Sequence, residues 1–454
     1  MNEQINVPNN DDNLIEIQDE EKSLKISTRS FVTAIIVIAV LMVASLVLTM
    51  VLPGCHIPIW KWALSPVLVL TAEGSTTIIA VLIFLLVIGG IFNSLDECGL
   101  MKYMLNKIAY KFGAKKYKLM AIIMLFFMAM GALIGSFEEC VPLVPIVVGL
   151  AIRLGWDQKV GLAMSMLSVG CGFASGVFNP FTVGVAQELA GLRMFSGASL
   201  RALSFVLIYA LLLSFVRSYA KKIDVGYNEQ AEFKEDKNLD LGFKLFAGIM
   251  ILGIILVLCS AFITVLQDYT LIIVAVVFLV AGVSSCLAAK LGGKRLASSM
   301  GKGVVNMLPA VLMILMASSI KYTLETAGAL NVILDGAIKI AETLPKWEVI
   351  LFIYLIVLVM NFFIASGSAK AFMLIPLIVP LAEVFGISSQ LCIVAFAFGD
   401  GFSNVFYPTN PALLISLGLA DVSYTDWAKW SGKFQIMNLV LTSGILLLGL
   451  ALGY

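Results

Sequence analysis

Four charged residues interrupt otherwise apolar sequence: Glu138, Glu139, Lys370 and Asp400. An ionised side chain at the centre of a membrane helix costs about 2.5 to 3.5 kcal/mol on insertion scales, so each should face a cavity or pair with another. Glu139 and Lys370 are opposite in sign and 231 positions apart, the period of an internal repeat. Two readings stand. The pair either clamps two structural elements as a salt bridge, or Lys370 meets a substrate carboxylate. If the pair neutralises itself, Glu138 and Asp400 remain to hold a proton, a sodium ion or an ammonium-bearing substrate. Nearby in sequence stand Ser136, Ser366, Gly367 and Ser368, and farther along Asn179, Thr182, Ser403, Asn404, Thr409 and Asn410. Hydroxyls and amides can grip a carboxylate without a full counter-charge, and can equally cap a helix end of their own. Phe178 and Tyr407 flank these groups as gates or as packing.

The elements that position these groups must be membrane helices. The chain has 454 residues, 60% hydrophobic and 13% charged, against about 25% charged in an average globular chain. That composition excludes a soluble enzyme, a nucleic-acid binder and a disordered scaffold. A single histidine, His56, argues against a haem or a His-rich metal site, and seven scattered cysteines without CxxC read as small apolar filler. No GxSxG, HExxH or GxxxxGK[ST] is present, so neither catalysis nor ATP drive is expected. With about 20 apolar residues needed per crossing, nine spans are expected: 31–53, 74–95, 160–187, 201–219, 245–267, 269–289, 303–322, 389–420 and 434–454. The acidic stretch before them reads as a solvated tail. Lysine-rich loops at 98–118 and 290–302 place themselves in the cytoplasm, which puts the N-terminus and the linker 220–242 inside, and Lys61 and the C-terminus outside.

Sliding the chain against itself by 231 residues aligns "LVPIVVGLAIRLG" (143–155) with "LIPLIVPLAEVFG" (374–386), and "FNP" (178–180) with "TNP" (409–411). The same offset, give or take two residues, lays 74–95 on 303–322 and 201–219 on 434–454. Threaded through the span count, the two copies run in opposite senses, an architecture common to secondary transporters. The expected domains are a cytoplasmic acidic tail (1–30), a first transmembrane repeat (31–219), a cytoplasmic linker (220–242) and a second repeat (243–454). Each repeat holds runs too short to cross, 140–152 and 371–382, which read as the returning arms of re-entrant hairpins whose first arms are 119–137 and 349–369. Amphipathic stretches at 100–112 and 329–344 precede them. Each repeat also holds a broken span, "GCGFASGVFNPFT" (170–182) and "GDGFSNVFYPTNP" (399–411). Such breaks free backbone carbonyls and amides, and paired breaks are the best sequence pointer to a transporter's binding site.

The blocks "GSFEECVPLVPIVVGLAIRLGW", "GCGFASGVFNPFTVGVAQELAGL", "ASGSAKAFMLIPLIVPLAEVFG" and "FGDGFSNVFYPTNPALLISLGLA" resemble the YfcC-type branch of the DcuC family, in the ion transporter superfamily. The resemblance implies two inverted repeats, each with a re-entrant hairpin and a broken helix, often in a dimer that works by an elevator motion. It implies carriage of four-carbon dicarboxylates or exchange of basic amino acids. It maps a glutamate pair onto Glu138 and Glu139, and a serine-glycine-serine tip onto Ser366, Gly367 and Ser368. It departs at Lys370, where the branch carries a neutral, glutamine-like residue.

The resulting expectation is an all-α polytopic membrane protein of about nine spans plus two hairpins, and no enzyme. It should be a secondary transporter of a small charged metabolite in the cytoplasmic membrane, with an amino acid ahead of a C4-dicarboxylate because three acids oppose one lysine at the site. A passive channel is the alternative of another class. No cofactor or metal is expected beyond a coupling sodium ion or proton, and a homodimer is the expected assembly.

Overall fold

A computed structural model describes residues 28–72, 75–133, 135, 137–193, 195–226, 235–260, 270–364 and 366–454. Most of the acidic tail, Ser136 and the middle of the 220–242 linker lie outside those residues, as does the side chain of Glu139. Among the described residues the regular structure is helical throughout. The solvent these helices are built for shows in the helix Thr28–Val51, which exposes Ile36, Val40, Val43, Val47 and Met50 while burying Ser45 and Thr49. A soluble protein hides the first set and shows the second. Hydrocarbon reverses the preference, because Ser45 and Thr49 must hand their hydroxyls to the Met42 and Leu46 carbonyls of their own helix.

Eight helical stretches among the described residues are long and apolar enough to cross a membrane, with shorter apolar helices at Ile35–Val51, Cys140–Arg153 and Ile272–Ala288. This tally and the expected nine spans divide the chain differently. Length and hydropathy alone count hairpin arms such as Lys346–Phe363 and Gly367–Val384, and pass over the two broken spans because no single helix in them is long enough. Helix Ala198–Ile223 and helix Lys237–Ser260 also reach inside both ends of the expected linker.

The order of elements occurs twice. Helix Ser75–Glu97, amphipathic helix Leu100–Phe112, hairpin arms Lys116–Leu133 and Val144–Arg153, and broken helix Gln158–Leu189 are matched by Gly293–Thr326, Ala329–Ala341, Lys346–Phe363, Gly367–Val384 and the broken run from Ser389 to Leu419. Both amphipathic helices start from a glycine in the left-handed region, Gly99 (φ +74) and Gly328 (φ +73), where the chain must leave one helix and enter the next at a sharp angle. The matched helices Ser75–Glu97 and Gly293–Thr326 pack antiparallel: Gly89 lies against Gly303 and Met307, Gly90 against Met300, and Asn93 donates to the Ser299 hydroxyl at 2.8 Å. Glycines at 89, 90 and 303 let the two backbones close, as membrane helices require in the absence of a hydrophobic drive.

One end of the molecule collects the basic loop and the linker. Lys116 pairs with Asp224 at 2.5 Å, Tyr117 donates to the same carboxylate at 2.6 Å, and Lys107 pairs with Asp240 and with Glu235. Cys98 and Cys286 touch there too, at 3.8 Å. The loop 98–118, the described ends of 220–242 and the turn before 290 thus share one end. The opposite end joins Ser196 to Gln390, and Tyr454 to Gly197.

Candidate functional site

Asn-Pro explains both breaks. In each repeat the helix stops, the chain runs irregularly for a few residues, and a new helix starts with asparagine capping it and proline in its first turn. Asn179 Oδ1 accepts from the Thr182 amide at 3.2 Å, and Asn410 Oδ1 accepts from the Leu413 amide at 3.2 Å. Asparagine satisfies a first-turn amide, and proline's missing N–H is one that would have gone unused there. The capping role weighed for the polar set in the sequence therefore holds for these two side chains.

The hairpin tips close on the breaks. Gly135, at φ +76, lies so close to the Asn179 side chain that a Cβ would collide with it, and Phe178 donates its amide to the Ala132 carbonyl at 3.0 Å. In the second repeat Gly367 abuts Thr182 and Asp400. The second tip thus touches the breaks of both repeats. The halves also exchange contacts: the restarted helix after the first break packs on Gly367–Val384, and Pro411–Leu419 packs on the first hairpin's returning arm.

At the centre of the second half stands a buried network. Lys370 and Asp400 are both fully buried, with Nζ 2.5 Å from Asp400 Oδ1. Nζ also donates to the Ile364 carbonyl at 2.8 Å and to Asn361 Oδ1. Asp400 is its charge partner, and neither Asp400 carboxylate oxygen has a hydrogen-bond partner among the described residues. Asn361 is itself fixed, because its amide nitrogen, with two hydrogens to give, lies within hydrogen-bond distance of the Asp400 carbonyl (3.1 Å), Ser403 Oγ (2.6 Å) and Asn404 Oδ1 (3.0 Å). Asn404 returns a bond to the Asp400 carbonyl at 2.8 Å and accepts from Asn410 at 3.2 Å. Ser403 donates to the Gly399 carbonyl at 2.9 Å. Ser403, Asn404 and Asn410 are thus committed to holding the break.

This changes the expected accounting of charge. A carboxylate partner of Lys370 is Asp400, from the break of its own repeat. The proposed tip-to-tip pair with Glu139 falls on a side chain outside the described residues. Glu138 opens the short helix Glu138–Leu143 and is exposed, whereas Phe137, Cys140 and Val141 beside it are buried. Ser366 is exposed and Ser368 half-buried at the second tip, their hydroxyls 3.5 Å apart, with Ser366 capping the Ala369 amide. Thr182 and Thr409 are buried, and their hydroxyls have no hydrogen-bond partner among the described residues. Phe178 and Tyr407 are occupied by edge-on contacts to Phe195 (5.9 Å) and Phe362 (5.4 Å).

Two residues escaped the sequence reading. Asn361 carried a signal, a lone amide in the apolar run "LFIYLIVLVMNFF". Arg201 carried none, since it opens a span where arginine ordinarily marks a loop. It is fully buried, donates to the Ser196 carbonyl at 3.0 Å and weakly to the Val177 carbonyl of the first break at 3.4 Å, and keeps Nε and Nη1 without a partner among the described residues. Trp427 serves the other repeat in the same way, its indole donating to the Val405 carbonyl at 2.8 Å.

Residues 62–451 match the family described as DcuC, C4-dicarboxylate anaerobic carrier. Over 408 residues the chain is 29% identical to the Escherichia coli (strain K12) protein named "Putative basic amino acid antiporter YfcC", an alignment spanning 82% of this chain and 78% of that one. A Haemophilus influenzae protein shares 23% identity over 371 residues, 79% of this chain and 73% of its own. Among solved structures, the Alcanivorax borkumensis YdaH transporter aligns over 94% of this chain and 99% of its own, at 15% identity and a TM-score of 0.46. A match running from residue 62 to residue 451 takes in both repeats, both hairpins and both breaks, so the chain belongs to the C4-dicarboxylate anaerobic carrier (DcuC) family and is a multi-pass membrane transporter of a small molecule, not an enzyme.

Proposed function

We propose that the protein is a secondary active transporter that carries an amino acid, most simply a cationic one, across the cytoplasmic membrane by symport or exchange. One observation carries the reading. The only lysine at the hairpin tips and breaks has its charge matched by Asp400 in a buried pair, while Glu138 stands exposed at the first tip. At the hairpin tips the groups left to meet a substrate are therefore acidic or neutral, and they suit an ammonium or guanidinium better than a second carboxylate. The name of the Escherichia coli relative, a basic amino acid antiporter, points the same way. The buried Arg201 donors beside the first break would suit the carboxylate that every free amino acid carries.

The family description favours a second reading, a C4-dicarboxylate carrier. It would need Arg201 and the Thr182 and Thr409 hydroxyls to receive two carboxylates near Glu138. The N-terminus inside, the C-terminus outside and a homodimeric assembly belong to the same proposal. Uptake into proteoliposomes from a panel of labelled amino acids and dicarboxylates, with sodium and proton gradients imposed separately, decides between them. Saturable uptake of basic amino acids supports the first reading, and uptake confined to dicarboxylates overturns it.

A further inference from the structure

The oxygens around Lys370 make a set that hard cations take. One is a carboxylate oxygen (Asp400 Oδ1), one an amide oxygen (Asn361 Oδ1), and one a backbone carbonyl (Ile364) from the residue where the first arm ends and the tip unwinds. Hard cations are held by carboxylates, amide oxygens and main-chain carbonyls. In broken-helix transporters, unwound carbonyls are where a coupling sodium sits. Here the cradle is held ready: the Asn361 amide nitrogen faces the Asp400 carbonyl, Ser403 Oγ and Asn404 Oδ1, which turns its oxygen toward Lys370. The first repeat does not repeat these side chains: the positions 231 before Asn361, Lys370 and Asp400 are Met130, Glu139 and Val169.

We infer that the Lys370 ammonium is a tethered cation occupying a monovalent-metal site at the junction of the second hairpin and the second break. A cation bonded to its own chain cannot dissociate to either side of the membrane. This cradle therefore cannot harvest a sodium gradient while the ammonium fills it. The driving force for transport must enter elsewhere. The inference does not depend on which metabolite is carried, and its test needs no substrate.

Removing the tether should convert the cradle into a sodium site. The full-length protein, Lys370→Ala and the double variant Lys370→Ala/Asp400→Asn are purified in detergent and melted while choline chloride is replaced by sodium chloride at constant ionic strength. A protein that binds a ligand only when folded gains stability with the logarithm of ligand concentration. The melting point of Lys370→Ala should climb with the logarithm of sodium concentration beyond any response of the wild-type protein. The double variant, which has lost the carboxylate, should lose that added climb. If Lys370→Ala is monodisperse in sodium and aggregates in choline, the inference is supported in its strongest form. A sodium response equal to that of the wild-type protein overturns it, as does an added response that survives Asp400→Asn. Aggregation of Lys370→Ala in every salt also overturns it, with or without a soluble double variant, since the cradle then accepts no free ion in place of the tether.

Discussion

Lys370 gives hydrogen bonds to Asn361 and Ile364 and pairs in charge with Asp400, which ties it to the second tip and break. It acts on the break, through Asp400 and Asn361, and its removal should be felt as instability first. Either Lys370→Met or Asp400→Leu alone leaves a buried charge without its partner and should cost about 3 to 5 kcal/mol, whereas the two together should recover most of that loss. Denaturation midpoints of the two single variants and the double variant in detergent check this, and additive losses would contradict it. Glu138 is the converse case. Being exposed, its change to glutamine should move stability by no more than about 0.5 kcal/mol. If it receives a substrate ammonium, the lost charge-assisted bond is worth about 1.5 to 3 kcal/mol, roughly a 10- to 100-fold rise in half-saturation. The sequence made these charges conspicuous, because each stands in an apolar run. It did not show the contact between Lys370 and Asp400, which lies within one repeat, between a tip and the break that follows it.

At the scale of elements, the breaks and tips were legible because glycine, proline and asparagine punctuate chain direction wherever they occur in density. What was not legible is which face of each tip meets which break, since that depends on helix rotation. Gly135 records the answer. Its φ of +76 and its contact with Asn179 leave no room for a side chain, and Gly135→Ala should add about 1 to 2 kcal/mol of backbone strain to a collision at the cap. Uptake should fall by at least tenfold while the protein still inserts and stays monodisperse, and unchanged uptake would mean that tip and break need not fit closely. The clasp at the basic end is a second element-scale test. Partial burial works against the Asp224 charge, but hydrogen bonds from Lys116, Tyr117 and the Gly226 amide outweigh it and hold the carboxyl down at about 2. A depressed carboxyl contributes stability in full above its unfolded value of about 3.9 and loses it as pH falls toward the folded one. Asp224→Asn should therefore cost about 1 to 2 kcal/mol, reduced by solvent screening, and by the same amount at every pH from about 5 to 8. A cost that changes across that window would assign the effect to another group.

For the whole molecule, the repeat was the most legible feature and also the least certain from identity alone, because apolar segments resemble one another. The structure adds what identity could not, a matched order of elements and an antiparallel meeting of Ser75–Glu97 with Gly293–Thr326. The inversion carries a consequence for sidedness. Single cysteines at Lys115 and Asp236, introduced into a cysteine-free background, should be labelled from the cytoplasm, and one at Lys61 only from outside. Labelling of all three from one side would break the threading on which the inversion rests. The account as a whole turns on an acidic tip receiving a cationic group, and the most direct measurement is exchange in proteoliposomes preloaded with unlabelled arginine. The wild-type protein should take up labelled arginine in exchange, succinate should compete poorly, and Glu138→Gln should raise the half-saturation concentration by at least tenfold without changing the melting point. Exchange of succinate in preference to arginine, indifferent to Glu138→Gln, would contradict it.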